Sequence, residues 1–324
     1  MASVTPEICS WRGGKTWVYS ITFDEALSEL HRFAVPILEE HAVPGHVEVV
    51  VGHIGAVRRI GQSSYNGFHH MSAEELREMV GCGWGVGNHS YTHFTVNADT
   101  ADLELGHAKT VLEDACGQHV TIYCAPGSNE NMNPEALAAC GRYGYLGAMG
   151  ITDALNLPES PTPLWLNRTF LHTQGYGPFF SEFDPYRNIQ NARHRNGWII
   201  DYCHCPLEKA VHINKDCSES ELRDRIELVV GEGGDDVWLA LPEEVVDYRL
   251  VAQHTKITQN ADKSFSIQAE NLPDEVIRRT VTLSLPNNET TVTVDGKVVD
   301  VVSKGGRAVV DVDVSSQRQL RIGG

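Results

Sequence analysis

Two histidines four residues apart, His89 and His93, stand behind a run of glycines in GVGNHSYTH, residues 85–93. Their neighbours are Asn88, Ser90, Tyr91 and Thr92, not the apolar residues of a core. Neutral imidazoles are the commonest zinc ligands, and this spacing can aim two of them at one point. A second stretch, ITFDEA at 21–26, sets Asp24 and Glu25 side by side directly after an apolar run. Adjacent carboxylates in a desolvated strand mouth are costly unless something positive pairs with them. Two histidines and one carboxylate would hold a divalent cation and leave it a position for water, the layout of a catalytic site. The bland alternative is a pair of hydrogen-bonding loop histidines beside a solvated Asp-Glu pair. With 15 histidines in the chain, chance pairs arise, and His69-His70 is read as one.

The elements that must position these residues are legible as patterns. From about 15 to 250, short apolar runs alternate with helical stretches. TWVYSITF, HVEVVVGHIG, WGVGNHS, VTIYCAP, YLGAMG and WIIDYCHCP read as strands, and SELHRFAVPILEEHA as a helix. Ser72 with Glu75, and Ser218 with Glu221, have the spacing of capping boxes that open two further helices. The alternation implies parallel strands with crossover helices, in roughly seven units. A distorted (β/α) barrel accounts for this better than an open sheet. ITFDEA, NHSYTH, CAPG and IIDYCH all follow strands, and in a barrel those ends converge on one face. After about 255 the pattern becomes period-two alternation, with Asp295-Gly296 as a hairpin signal. The expected division is a barrel over 1–254 and a small antiparallel, sandwich-like β domain over 255–324.

The 324 residues suit one large α/β domain plus a small one. A net charge of -17 repels phosphate backbones and anionic lipid, so nucleic acid and membrane are poor partners. No basic stretch leads into an apolar one at the N-terminus, and no run of about 18 apolar residues occurs. Eight cysteines show neither CxxC nor the framework of a small secreted domain. A reduced, cytoplasmic setting is expected, or a secreted one if a leader has been removed. A β domain beside a barrel also leaves room for a homo-oligomer.

The motifs resemble those of the polysaccharide deacetylases, carbohydrate esterase family 4. That family carries TFDDG, a histidine pair, an RxPxG-like segment and LxH. Here the same order holds Thr22-Phe23-Asp24-Glu25-Ala26, His89-Ser90-Tyr91-Thr92-His93, Cys124-Ala125-Pro126-Gly127 and Tyr202-Cys203-His204. The resemblance covers about 15–250 and stops short of the C-terminal β domain. It implies metal-dependent removal of acetyl groups from an N- or O-acetylated carbohydrate. In that scheme Asp24 is the base, Glu25, His89 and His93 hold a divalent metal, His204 is the acid, and the Gly127 N–H steadies the oxyanion. The ion would be zinc, with cobalt or nickel fitting similar geometry. Pro126, Tyr202 and Trp198, which flank the motifs, are expected to line the substrate.

Three positions depart from the pattern. Glu25 replaces aspartate, Ala26 replaces a glycine and thereby disfavours positive φ, and Cys124 replaces the arginine that orients the base. Arg168 is the candidate to substitute for that arginine, and Asp184 the candidate to support His204. Without an arginine at 124, either a less depressed pKa is expected for Asp24 or another cation takes its place. Two other readings compete: an allantoinase-like hydrolase of cyclic amides, and a carbohydrate-binding protein without turnover.

Overall fold

The computed structural model describes residues 5–152, 154–160, 164–171, 185–212, 216–285 and 291–323. After a short strand β1 (Glu7–Ile8), the chain forms β2 (Trp17–Asp24), β3 (Gly45–Val49), β4 (Gly85–Asn88), β5 (Ile122–Cys124), β6 (Gly147–Ile151), β7 (Leu166–Phe170), β8 (Trp198–Cys203) and β9 (Val237–Leu239). Strands β2 to β8 pair in sequence order, each parallel to the next. β2 also pairs with β8 and so closes a seven-stranded barrel, with β9 against β2. The expected distorted barrel of about seven units is what forms.

Local sequence explains the intervening helices. Both capping boxes are present, at Ser72–Glu75 before helix Ala73–Gly81 and at Ser218–Glu221 before helix Glu219–Gly233. The stretch expected as one helix after β2 is instead two short ones, Leu30–Phe33 and Val35–Glu40. Pro36 lies in the first turn of the second, where its missing N–H is tolerated but a continuous helix is not. Strand β7 lies in a stretch whose polar Asn167, Arg168 and Thr169 hide it from an apolar-run reading.

Strand register sets the interior. Thr22 pairs with His46 and His46 with Gly85; Asp24 pairs with Glu48 and Glu48 with Gly87. A side chain on Gly85 would collide with His46 and Glu243, and one on Gly87 with Glu48. The glycines ahead of the histidine motif therefore make room for two buried polar residues of the neighbouring strand. His46 Nδ1 lies 2.7 Å from Glu48 Oε1, and its Nε2 lies 3.2 Å from Glu243 Oε2. Burial alone would lower the pKa of His46, but Glu48 and then Glu243 more than offset it and push it up to about 10.

Contacts divide the chain into two compact units, Val18–Glu243 and Met1–Trp17 together with Glu244–Gly324. The second unit holds two antiparallel sheets. One runs β1–β12–β16–β15 and the other β10–β11–β17–β13–β14, where β10 is Thr255–Gln259, β11 Phe265–Ala269, β12 Thr280–Leu285, β13 Thr291–Val294, β14 Lys297–Val299, β15 Val302–Lys304, β16 Arg307–Asp313 and β17 Arg318–Gly323. Asp295 and Gly296, at φ 51° and 78°, form the turn between β13 and β14. No helix among the described residues is long and apolar enough to cross a membrane.

The buried His46 gives a stability prediction. Its pKa is raised from 6.5 to about 10 on folding, so its contribution is complete below pH 6.5 and is lost as pH rises through 10. Thermal melts of the native protein and His46→Gln across that range should show the native advantage shrinking steadily. A pH-independent difference would refute a charged His46.

Candidate active site

The C-terminal ends of the barrel strands gather the chemistry-bearing residues, as barrel geometry requires. Asp24 ends β2, His89 follows β4, Cys124 ends β5, Arg168 lies on β7 and His204 follows β8. Asp24 is buried, and Arg168 reaches it from across the barrel: Nη1 donates to Oδ1 at 2.6 Å and Nη2 to Oδ2 at 3.3 Å. Arg168 also donates to Thr22 Oγ1 at 3.1 Å, and its guanidinium lies 4.6 Å from the Tyr202 ring centre. Burial opposes the charge on Asp24, but Arg168, helped by His89 and His204, holds its carboxyl well below the usual carboxylate range. Of the two expectations for position 124, substitution by another cation, Arg168, is the one the geometry shows, and the less depressed pKa is not. Arginine arrives from β7 instead, and Cys124 contributes a thiol 3.8 Å from Asp24 Oδ1.

Glu25 is the hub of a second cluster. Arg58 grips its carboxylate with two donors, Nε to Oε2 and Nη2 to Oε1, the latter at 2.5 Å. His204 Nε2 and His93 Nε2 lie 3.8 and 4.0 Å from Glu25 Oε1. Burial would raise the pKa of Glu25, yet Arg58, with His204 and His93, brings it down to about 2. Tyr65 stacks on His204 with ring centres 5.4 Å apart and planes within 5°. The backbone here is strained: Glu25 and Ala26 have φ of 72° and 46°. Ala26 therefore takes the positive φ that its methyl group disfavours. The turn is tied by Met71 N–H donating to Ala26 O at 2.8 Å and His70 Nδ1–H donating to Glu25 O at 2.8 Å.

The histidine loop is shaped by Glu104, which sequence reasoning missed. Its buried carboxylate accepts from the N–H groups of Tyr91 and Thr92 and from the Thr92 hydroxyl. Ser90 and His93 take φ of 66° and 65°, and the rings of His89 and His93 lie 5.0 Å apart. His89 Nδ1–H donates to the Cys124 carbonyl at 3.0 Å, which fixes the tautomer and leaves Nε2 as a lone-pair donor. Burial and the neighbouring His89 hold His93 down at about 3, so it is uncharged at neutral pH.

His89 suits a divalent cation in tautomer, and His93 in charge. The expected trio of Glu25, His89 and His93 does not close on one point, however. Among the described residues, the group whose ligand atoms all lie within 4.8 Å of one another is Asp24, His89 and Cys124. Within that group Asp24 is bound to Arg168, and burial pushes the Cys124 thiol far above its ordinary value. His89 is the donor common to both sets.

The remaining expected residues divide. Gly127, exposed and at φ 70°, has open space beside its α-carbon. Pro126 is buried, and its carbonyl accepts from Ser128 N–H and Asn131 Nδ2, each at 2.8 Å. Tyr202 is buried between Arg168 and Phe170. Trp198 is fully buried at the other end of β8, its indole N–H bound to Ser20 Oγ at 3.0 Å, so it does not reach the site. Its apolar ring and satisfied N–H make it core. Asp184 lies outside the described residues. Arg58 and Tyr65 were not anticipated. Nothing in VRRIG distinguishes buried Arg58 from exposed Arg59.

Comparison with known proteins follows this geometry. Residues 13–147 match the family model described as polysaccharide deacetylase. A stretch of 135 residues is 25% identical to YxkH of Bacillus subtilis strain 168, which is assigned to the polysaccharide deacetylases; it covers 41% of this chain and 43% of that protein. The chain thus spans less than half the length of this curated relative. Among solved structures, a protein of Mycobacterium smegmatis assigned to the same group is 21% identical, with a TM-score of 0.48, over 75% of this chain and 94% of its own. The Streptococcus pyogenes deacetylase PplD, solved with acetate, is 19% identical with a TM-score of 0.39, over 46% of this chain and 62% of its own.

Removing one partner of a buried ion pair costs about 3–5 kcal/mol. Arg168→Met should therefore lower unfolding free energy in urea by about that amount, because Asp24 is left buried and unpaired. The double variant Arg168→Met, Asp24→Asn should recover a large part of the loss. Equal losses in the single and double variants would show that Arg168 acts through packing alone.

Proposed function

We propose that this chain, a divergent polysaccharide deacetylase over residues 13–147, hydrolyses the acetyl group of an N- or O-acetylated carbohydrate at the barrel mouth. The observation that carries this reading is the Arg168–Asp24 pair beside His89, which keeps one carboxylate ionised next to a histidine of the strand-end motif. A divalent ion, zinc being favoured by imidazole, would take His89 and His93, with Glu25 joining only where Arg58 releases it, and would supply a bound water of lowered pKa and polarise the acetyl carbonyl.

The chain's own groups do the rest. Asp24, ionised at neutral pH, accepts the proton of the attacking water while Arg168 fixes its orientation. His204, held flat against Tyr65, delivers a proton to the departing amine or alkoxide. The N–H of Gly127, an exposed residue with open space beside its α-carbon, supplies a hydrogen bond to the negative charge that develops on the carbonyl oxygen. Glu104 keeps the loop that carries His89 and His93 in its strained form.

The test is acetate release from acetylated glucosamine oligosaccharides and acetylated xylan, with zinc supplied. The native protein should release acetate, and Asp24→Asn should be slower by about 10²–10⁴, the usual contribution of a general base. Circular dichroism verifies that the variant is folded. Ring opening of a cyclic amide, with no acetate from any acetylated glycan, would overturn the proposal.

A further inference from the structure

We propose that Arg58 competes with a divalent cation for Glu25, so that the native chain binds the ion weakly and Arg58 supplies the positive charge at Glu25 when no ion is bound. The inference rests on reading His89, His93 and Glu25 as the donors of the ion. Arg58 and Glu25 are both buried, and the guanidinium fork meets both carboxylate oxygens, the geometry in which arginine binds a carboxylate most strongly.

Arg58 is built into place. Its third contact, Nη1 to Asn66 Oδ1, is 3.2 Å, and its guanidinium lies 5.6 Å from the Tyr65 ring centre. Its backbone N–H donates to Phe68 O at 2.7 Å and its carbonyl accepts from Gly67 N–H at 3.0 Å. The segment that carries Arg58 thus closes on itself and presents one fixed cation to Glu25.

Charge decides the competition. Asp24 is matched by Arg168 and Glu25 by Arg58, so the two carboxylates are already neutralised. A divalent ion entering beside them would bring two positive charges to carboxylates that, among the described residues, already have their cations. It gains Glu25 fully only by loosening Arg58. The same segment carries Tyr65, which stacks on His204, so displacement of Arg58 also disturbs the support of that histidine.

The experiment measures zinc affinity without turnover, by competition with a chromophoric chelator at neutral pH, and is therefore independent of acetate release. Arg58→Gln should bind zinc about tenfold or more tightly than the native protein. The gain should vanish in Arg58→Gln, Glu25→Gln, while Arg58→Lys, which keeps a cation but loses the fork, should fall between native and Arg58→Gln. Asn66→Ala, which removes one anchor of Arg58, should give a smaller gain and serves if Arg58→Gln does not fold. Arg58→Gln binding zinc no more tightly than native would overturn the proposal, as would a gain that survives loss of Glu25. If Arg58→Gln fails to fold, unchanged affinity in Asn66→Ala overturns it.

Discussion

The structure depends on matching every charge that the barrel takes out of water. A small parallel barrel is normally filled by branched apolar side chains. This one carries Asp24, His46, Glu48 and Arg168 as buried residues. An unpaired ion in such a place costs several kcal/mol, so these carboxylates sit beside cations. Arg168 serves Asp24, Arg58 serves Glu25, and His46 sits between Glu48 and Glu243. Asp201, on β8, is matched by Arg225, whose Nε donates at 2.7 Å from helix Glu219–Gly233, and accepts from the Tyr19 hydroxyl at 2.9 Å. The pairs link strands and helices distant in sequence, and so fold and site share the same interactions.

The strained backbone follows from the same demand. Consecutive positive φ at Glu25 and Ala26 turns the chain sharply at the end of β2, and the turn is fixed by His70 and Met71 from the segment that also carries Arg58. Ser90 and His93 are bent in a comparable way and fastened by Glu104. Such conformations persist only where the surroundings over-determine them. Here the determinants are hydrogen bonds from outside each loop. This explains how His89 and His93 are displayed at a strand end without the rigidity of a helix behind them.

Periodicity made most of the barrel legible, because parallel strands are apolar on both faces and helices announce their starts with capping boxes. It failed where function intrudes. Strand β7 contains Asn167, Arg168 and Thr169 because its inner side holds the arginine of the site, and that polarity is what conceals it. Asp24, Glu25, His89, His93 and His204 could be named because residue type and motif order report chemistry directly. Arg58, Tyr65 and Glu104 could not, because their roles arise from three-dimensional closure of loops that have no local signature. Trp198 misled for the converse reason. Proximity in sequence to His204 says nothing about position along a strand, and its side chain belongs to the opposite end.

Asp24 draws its positive charge from a strand other than the one that carries Cys124. Cys124 ends β5 with its thiol toward Asp24 but cannot neutralise it, since burial keeps that thiol protonated. The charge comes from β7, two strands further round the barrel, and reaches the same carboxylate with two hydrogen bonds. In a closed barrel the interior is small enough that several strands can deliver a long side chain to one point. What Asp24 requires is a buried guanidinium within hydrogen-bond reach, and here β7 provides it. Cys124 in turn keeps a backbone function that no side chain needs to encode. Its carbonyl fixes the tautomer of His89, so the motif can lose its arginine while the chain at that point still orients a histidine.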